Sequence, residues 1–386
     1  VIVEGVVGVP TGQVVVGDRA LTLAISPQLA PPSGGIRITV TDEAAGSEYF
    51  EPDAVGVTRT ETPLLEIPQA VQIIPQQVLE DQQVVKLDEA LRNASGVQAD
   101  AIEGAGYQFS LRGFQDAPIL RNGFSVVGSD PLTGILALPE TANLERVEVL
   151  KGPASIFYGE IEPGGVINLV TERPTEEPLY AVDLQFGSRS FFRPQVDISD
   201  RLSADGRARY RLNAVVQSGD DFREFDQNIR REFLAPVVSW EISDRTNLIL
   251  DLEYLNDERP SDSGLVAIGR GVADVPFSRI IGEPDDVIER NFVTTGYELA
   301  HDFSDNWQLR NAFRYSSQHY DASFFLPLIF NEASGLALRL GGGTQWYQDY
   351  LGVQTDLVGE FSTGSIDHTL LFGADYSRSR ANIDAR

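Results

Sequence analysis

The chain has 386 residues, which leaves room for two or three domains, and its net charge of −27 at pH 7 argues against a nucleic-acid partner. It contains no cysteine and only three histidines, so we expect no disulfide, no metal site and no bound cofactor. No apolar run reaches the length of a membrane helix, a pattern that is compatible with membrane β-strands because they carry a weaker, alternating signal.

The first 61 residues predict short strands and linkers. Residues 1–30 alternate Val, Gly and polar residues, which indicates two or three strands of a partial β-rich accessory segment. Residues 31–61 are rich in Pro, Gly and acidic residues, as linkers are, and they contain the β-prone run Ile36–Thr41. The chain opens on Val1 and holds no methionine, so we expect it to be part of a longer protein.

Residues 62–174 mix helical and strand patterns. A strand at VQIIP precedes a helical stretch that ends at Gly96, with Val78, Leu79, Val85, Leu87 and Leu91 on its apolar face. Strands separated by Gly turns follow in YQFSLRGF, PILRNGF, LERVEVLKG and GGVINLVTERP. This order predicts a compact α+β domain.

Residues 180–386 alternate apolar and polar side chains over long strands. In Thr246–Leu255, for example, Leu250, Leu252 and Tyr254 oppose Asp251 and Glu253. A period of two fits an antiparallel sheet with one apolar and one wet face.

The connections between these strands separate a soluble sandwich from a membrane barrel. Tight turns at residues 203–206, 243–245, 302–306 and 363–365 alternate with longer connections at residues 219–231, 258–290 and 321–343. Outer-membrane barrels have short turns at one end and long loops at the other. We count nine strands, an odd number, whereas bacterial barrels close with an even number, so we expect an incomplete barrel.

The segment Arg146–Val170, RVEVLKGPASIFYGEIEPGGVINLV, resembles the signature of the plug domain of TonB-dependent outer-membrane receptors, especially ferrichrome-type receptors for ferric siderophores. IPQAVQIIPQQVLEDQQ, LDEALRNASGV, SLRGF and RNGF stand in the order of the same domain. The resemblance implies an α+β plug domain followed by an antiparallel transmembrane β-barrel, here about nine strands of a plugged 22-stranded barrel.

The same resemblance implies an importer in the outer membrane of a Gram-negative cell, with the plug and the N-terminus facing the periplasm. Its partners would be outer-membrane lipid, a ferric siderophore that carries the iron as a chelate, and TonB with its inner-membrane energising complex. No enzyme activity and no catalytic residue are expected.

The TonB box position of the family falls on Ile36, Arg37, Ile38, Thr39, Val40 and Thr41. Such a short β-prone segment suits strand addition to a periplasmic partner, and an ordinary linker strand is the alternative. The residues before it are similar to the tail of an AMIN-like module found in some cyanobacterial receptors.

The resemblance places ligand contacts on the outward loops of the plug, at Tyr107, Phe124, Asp130, Leu132 and Thr133. Asp100, Glu103 and Asp130 make these loops acidic, so we expect a neutral or cationic hydroxamate or mixed chelate rather than a triply anionic catecholate.

A second set of residues is expected to hold the plug together or to latch it to the barrel wall. For the charged members we keep two interpretations, an ion-pair latch that rearranges when the plug moves and fixed structural pairs; for the glycines we expect turns or close backbone approach. The set comprises Arg112, Gly113, Glu145, Arg146, Glu148, Lys151, Gly152, Tyr158, Gly159, Gly164, Gly165 and Asn168.

Three alternatives remain at this point. A receptor of the same family for cobalamin, haem or a sugar is the first, although His301, His319 and His368 fall in predicted strands rather than in the loops where a haem receptor would need them. A non-transport, β-rich surface-binding protein is the second. A hydrolase is the third, and the carboxylates Glu145 and Glu148 have no nucleophile or histidine beside them in the sequence.

Overall fold

A computed structural model describes residues 12–17, 20–25, 36–41, 49, 59–60, 63–102, 106–126, 139–159, 161–225, 227–331 and 334–385. At the N-terminus, β1 (Gly12–Gly17) and β2 (Ala20–Ile25) form an antiparallel pair. This pair agrees with the short strands predicted within residues 1–30.

The plug is a mixed α+β unit, as predicted. Its five-stranded sheet has the order β4-β9-β10-β7-β8, in which β10 runs parallel to β7, and β5 and β6 form a separate hairpin. The elements are a 3₁₀ helix (Leu64–Glu66), β4 (Ala70–Pro75), α1 (Gln76–Asp81), α2 (Leu87–Leu91), β5 (Val97–Ile102), β6 (Gly106–Leu111), β7 (Ile119–Arg121), β8 (Phe124–Ser125), β9 (Leu144–Lys151), α3 (Ser155–Tyr158) and β10 (Gly165–Thr171).

The predicted helical stretch forms two short helices. Gln83, with φ of 52°, interrupts the helical conformation between α1 and α2. Gly96, with φ of 78°, ends the helical stretch as expected. Leu79, Leu87 and Leu91 lie in the main plug core with strand residues such as Val147 and Ile167. Among the described residues, the helices are all too short to cross a membrane.

Nine long antiparallel strands follow the plug, the number predicted from the sequence, and we call them the wall. They form one sheet in chain order, with β21 at one edge. The strands are β11 (Leu179–Phe186), β12 (Phe192–Arg201), β13 (Ala208–Asp220), β14 (Asn228–Ser243), β15 (Thr246–Pro260), β18 (Val287–Ser304), β19 (Trp307–Asn331), β20 (Leu336–Thr363) and β21 (Ile366–Ala385); β16 (Ala267–Ile268) and β17 (Gly271–Val272) make a small hairpin between β15 and β18.

The segment predicted as the TonB box is strand β3 (Ile36–Thr41) and extends the wall to ten strands. It pairs antiparallel with β11, from Ile36 opposite Phe186 to Thr41 opposite Ala181. In this structure the segment pairs with an edge strand of its own chain, and its pairing with a periplasmic partner stays a prediction.

The wall has the polarity of a membrane barrel rather than that of a soluble sandwich. Leu250 is 47% exposed on the outer face, whereas Glu253 of the same strand is 6% exposed on the inner face. The inner face buries charged and polar residues of many strands, among them Asp183, Arg193, Asp197, Arg211, Asn213, Arg231, Asp257, Arg290, Arg314, Gln318, Gln348 and Asp356. The outer face exposes residues such as Tyr180, Val182, Val216, Leu234, Trp240, Leu252, Tyr254, Leu370, Phe372 and Tyr376.

One predicted loop is wrong. Residues 321–343 continue β19 and β20 as a protruding hairpin, whose pairing runs from Asp321 opposite Gln345 to Asn331 opposite Leu336. Backbone hydrogen bonds extend a ladder whatever the side chains are, so the loss of alternation in this stretch did not end the strands. The predicted long connection after β15 is present, at residues 261–286.

Candidate functional site

The signature segment brings three plug strands close together through its glycines. Gly152, Gly159 and Gly165 have φ of 110°, 71° and 130°, values that L side chains rarely adopt. A Cβ atom on Gly165 would stand 2.0 Å from the carbonyl oxygen of Leu150, and one on Gly164 would stand 2.3 Å from that of Leu111. The Gly164–Gly165 pair therefore lets the start of β10 lie directly against β9 and the end of β6.

We expect Gly165→Ala to destabilise the plug by about 3 kcal/mol or more, because the substitution adds both a strained φ and a clash with backbone atoms. Gly113→Ala is the matched control: Gly113 has φ of 85° with nothing within 4 Å of the added Cβ, so only the conformational penalty of about 1–2 kcal/mol remains. Hydrogen exchange of the plug amides in the full-length protein measures both. Equal effects of the two substitutions would contradict the close-approach argument.

A buried carboxylate network lies inside the plug around Glu148, which is fully buried. Arg146 Nε donates to Glu148 Oε1 at 2.9 Å and Asn168 Nδ2 donates to Glu148 Oε2 at 2.9 Å, while the backbone N–H of Gly123 donates to Asn168 Oδ1 at 3.0 Å. Burial raises the pKa of Glu148, and the Arg146 guanidinium opposes that shift. These contacts join β9, β10 and the β7–β8 turn.

The other charged residues of the predicted latch also make their contacts within the plug. Arg146 pairs with Glu145 as well as with Glu148. Lys151 Nζ donates to Gln72 Oε1 and Ser95 Oγ, both at 2.8 Å, and partial burial together with the nearby Arg112 lowers its pKa. Arg112 is exposed and has a positive φ of 55°. In this structure these side chains stabilise the plug itself.

A different set of residues ties the plug to the wall, and Glu140 makes the most buried of these contacts. Its Oε1 accepts a hydrogen bond from Arg193 Nη2 of β12 at 2.6 Å, and its Oε2 accepts one from Arg231 Nη1 of β14 at 3.0 Å. Backbone N–H groups of Thr141 and Ala142 donate to the same carboxylate. One plug side chain therefore joins two wall strands; we call Glu140, Arg193 and Arg231 the Glu140 clasp.

Two further carboxylates, Glu253 of the wall and Glu172 of the plug, join the plug to the wall. Glu253 Oε1 of β15 accepts hydrogen bonds from Arg121 Nη2 at 2.8 Å and from Asn143 Nδ2 at 2.9 Å. Glu172, at the end of the plug, pairs with Arg211 at 2.9 Å and accepts a hydrogen bond from Asn213 Nδ2 at 2.7 Å, both from β13. One compact unit therefore contacts the same polar face of four neighbouring wall strands, β12 to β15.

The segment that leads into the plug is anchored to the last two wall strands, β20 and β21. Arg59 donates to both carboxylate oxygens of Asp375 on β21, at 2.9 and 2.7 Å, and lies 3.6 Å from Asp356 on β20. Its guanidinium also lies 5.5 Å from the ring centroid of Tyr158 in the plug. Arg59 therefore connects the N-terminal segment, the plug and the wall.

The predicted ligand contacts are only partly covered by the structure. Tyr107 is half-buried and packs against the plug core, and Phe124 is 2% exposed beside the wall, with Arg314 Cζ 5.7 Å from its ring centroid. Asp130, Leu132 and Thr133 lie outside the described residues. The three histidines lie in wall strands β18, β19 and β21, as predicted.

Sequence reasoning missed the residues of the Glu140 clasp and Glu253 as plug contacts. The sequence did indicate that the wall residues have partners, because a charged residue at an inward position of an alternating strand needs a partner in the lumen. The alternation does not say which plug residue that partner is.

Comparisons with known proteins agree with this architecture. Residues 63–166 match the family model of the TonB-dependent receptor plug domain, and residues 239–386 match that of the TonB-dependent receptor-like β-barrel. The metal-pseudopaline receptor of Pseudomonas aeruginosa is 35% identical over 352 residues, which cover 88% of this chain and 48% of that receptor. The ferrichrome outer membrane transporter and phage receptor of Escherichia coli is 28% identical, with 85% and 47% covered.

Among solved structures, the ferripyoverdine receptor of the outer membrane of Pseudomonas aeruginosa superposes with a TM-score of 0.81 at 21% identity, covering 97% of this chain and 49% of that one. The chain thus spans about half the length of the relatives it matches. With a plug domain seated against the polar inner face of antiparallel barrel strands, and with both family models matched in that order, the chain belongs to the TonB-dependent receptor family.

Proposed function

We propose that this chain belongs to an outer-membrane receptor that imports a ferric siderophore and does no bond chemistry itself. The observation that carries the proposal is the polarity of the wall, which is apolar outside and charged inside, the reverse of a water-soluble protein. A plug is fixed to the inner face by buried ion pairs. A lipid-embedded receptor with a wet lumen needs this arrangement. The names of the relatives point to metal chelates, namely metal-pseudopaline, ferrichrome and ferrioxamine B.

In this proposal the chelate binds on the extracellular side of the plug, and the N-terminus faces the periplasm. TonB, with its inner-membrane energising complex, adds a strand to Ile36–Thr41 and pulls. Since this segment pairs with β11 here, its release from β11 precedes or accompanies the capture by TonB. The pull reaches the plug through the segment anchored by Arg59.

Uptake of iron-labelled chelates by cells that carry the full-length gene tests the proposal. Ferrichrome and ferrioxamine B are the probes, with one variant lacking Ile36–Thr41 and a control variant lacking Gly12–Gly17. We expect the first deletion to abolish uptake while chelate binding at the cell surface stays, and the second to leave both unchanged.

Two results would contradict the proposal in different ways. Unchanged uptake without Ile36–Thr41 would remove this segment as the TonB contact. Absence of binding and uptake of every ferric chelate by the intact receptor would remove the siderophore function.

A further inference from the structure

Unpartnered hydrogen-bond donors gather on the inner face of β18, β19 and β20. All three guanidinium nitrogens of Arg290 are buried and meet no acceptor among the residues that the structure describes, and the side chain is 2% exposed. Gln318 Nε2 and Trp346 Nε1 are likewise buried donors without an acceptor there, and Gln348 Oε1, on the residue opposite Gln318, is a buried acceptor without a donor. Buried donors in native proteins nearly always have partners, so this group calls for an explanation.

These donors form one cluster around the ring of Tyr320. Arg290 stands opposite Tyr320 in the β18–β19 register, and Tyr320 stands opposite Trp346 in the β19–β20 register. The guanidinium of Arg290 lies 5.2 Å from the Tyr320 ring centroid, and the Tyr320 and Trp346 rings meet edge to face at 6.1 Å. Gln318 is two residues from Tyr320 and shares its face. We call Arg290, Gln318 and Trp346 the donor cluster.

The neighbouring carboxylates do not compensate the charge of Arg290. Asp257, directly opposite on β15, accepts hydrogen bonds from Arg231 at 2.8 Å and from both Nε and Nη2 of Arg259 at 2.6 Å. Glu140 is bound by Arg231 and Arg193. Four described guanidinium groups, those of Arg193, Arg231, Arg259 and Arg290, thus share two carboxylates, Asp257 of the wall and Glu140 of the plug. A buried region with such a surplus of positive charge is stabilised by an anion.

We propose that the donor cluster is a subsite for a carboxylate group that projects from the metal chelate. The inference rests on the proposed function and names the substrate class of the same receptor. A planar carboxylate offers two oxygens, which suits a guanidinium fork together with an amide N–H and an indole N–H. The flat rings of Tyr320 and Trp346 bound the site and favour a planar group.

The subsite also limits the class of chelate that the receptor is expected to bind. The acidic loops of the plug disfavour a polyanionic complex, whereas the donor cluster needs one negative group. A hydroxamate or mixed chelate with a single free carboxylate satisfies both conditions.

More unpartnered donors lie beside the cluster, at the contact between plug and wall. A small cavity next to it, on the same faces of β18 and β19, is lined by Arg121 and Phe124 of the plug and by Phe292, Thr294, Arg314 and Ser316 of the wall. Arg121 Nη1 and Arg314 Nε and Nη2 are further buried donors without an acceptor in the described residues.

Binding to the purified full-length receptor tests the subsite with two matched probes. N-succinyl ferrioxamine B ends in a carboxylate, and N-acetyl ferrioxamine B is neutral at the same place, so the iron centre is identical. We expect the wild type to bind the succinyl chelate about tenfold or more tightly than the acetyl chelate, since a hydrogen-bonded charged group contributes that much. Arg290→Gln should bind both chelates alike, whereas Arg230→Gln, at an exposed position of β14, should keep the preference.

Three further readouts keep the test decisive if Arg290→Gln does not fold. Gln318→Leu should reduce the preference, and succinate should compete with the succinyl chelate on the wild type but not with the acetyl chelate. Quenching of Trp346 fluorescence, absent in Trp346→Phe, places the carboxylate at the cluster.

The outcomes separate the two proposals. Equal binding of both chelates by the wild type, or a preference that survives in Arg290→Gln, would overturn the subsite and leave the siderophore function standing. Binding of neither chelate would overturn the subsite as a site for this class of chelate, and only the failure of every ferric chelate would count against the siderophore function.

Discussion

Glu140→Ala is expected to destabilise the attachment of the plug to the wall by about 3–5 kcal/mol, the usual effect of removing one partner of a buried ion pair. The loss is large because Arg193 and Arg231 would stay buried with their charge uncompensated at this position. Glu176→Ala, at an exposed carboxylate in the connection to β11, is the matched control and should change stability by less than about 0.5 kcal/mol. Urea unfolding and plug hydrogen exchange of the full-length receptor measure the difference; equal results for the two variants would contradict the role of the Glu140 clasp.

The same clasp predicts a pH dependence. Burial alone raises the pKa of Glu140, but the Arg193 and Arg231 guanidinium groups and the backbone N–H groups of Ala142 and Thr141 outweigh it and hold the pKa below its ordinary value of 4.5. A carboxyl group whose pKa is lower in the folded state stabilises that state above the unfolded pKa, and the contribution is lost as pH falls through the folded pKa. The stability difference between wild type and Glu140→Ala should therefore be constant near neutral pH and shrink below pH 4.5. A difference that grows on acidification would contradict this assignment.

Leu250→Arg is expected to cost about 2–4 kcal/mol of folding stability in lipid, because an arginine at the lipid-facing midplane of a barrel must leave water. Leu250 is 47% exposed and lies on the outer face of β15, in the same row of side chains as Leu248 and Tyr254. In a water-soluble sheet the same exposed substitution would change stability by about 0.5 kcal/mol or less. Folding titrations of the full-length protein into lipid vesicles distinguish the two environments.

Leu338→Arg is the control for this prediction. Leu338 is 58% exposed on the protruding hairpin of β19 and β20, beyond the apolar band of about 25 Å that a bilayer covers. It should fold like the wild type. If Leu250→Arg were equally harmless, the outer face of the wall would not be facing lipid and the importer proposal would lose its basis.

Local rules of the chain were enough to predict much of this architecture. The period-two pattern in segments such as Thr246–Leu255 predicted wall strands with one wet face, because successive side chains of a strand point to opposite sides. Glycines at positions 152, 159 and 165 predicted the turns of the signature segment, because their φ values exclude most other residues. The pattern failed at residues 321–343, where backbone pairing continued after the alternation had ended.

Only the tertiary structure identifies the pairs of residues that join the plug to the wall. Glu140 and Arg231 are separated by 91 residues in the chain, and Arg121 and Glu253 by 132, so no local pattern relates them. The period-two pattern predicted that charges line the inner face, and the packing of the plug against that face determined which charges meet. Burial makes these pairings important for stability, since a charge removed from water requires a partner at hydrogen-bond distance. For the guanidinium group of Arg290, the described part of the chain supplies no hydrogen-bond acceptor.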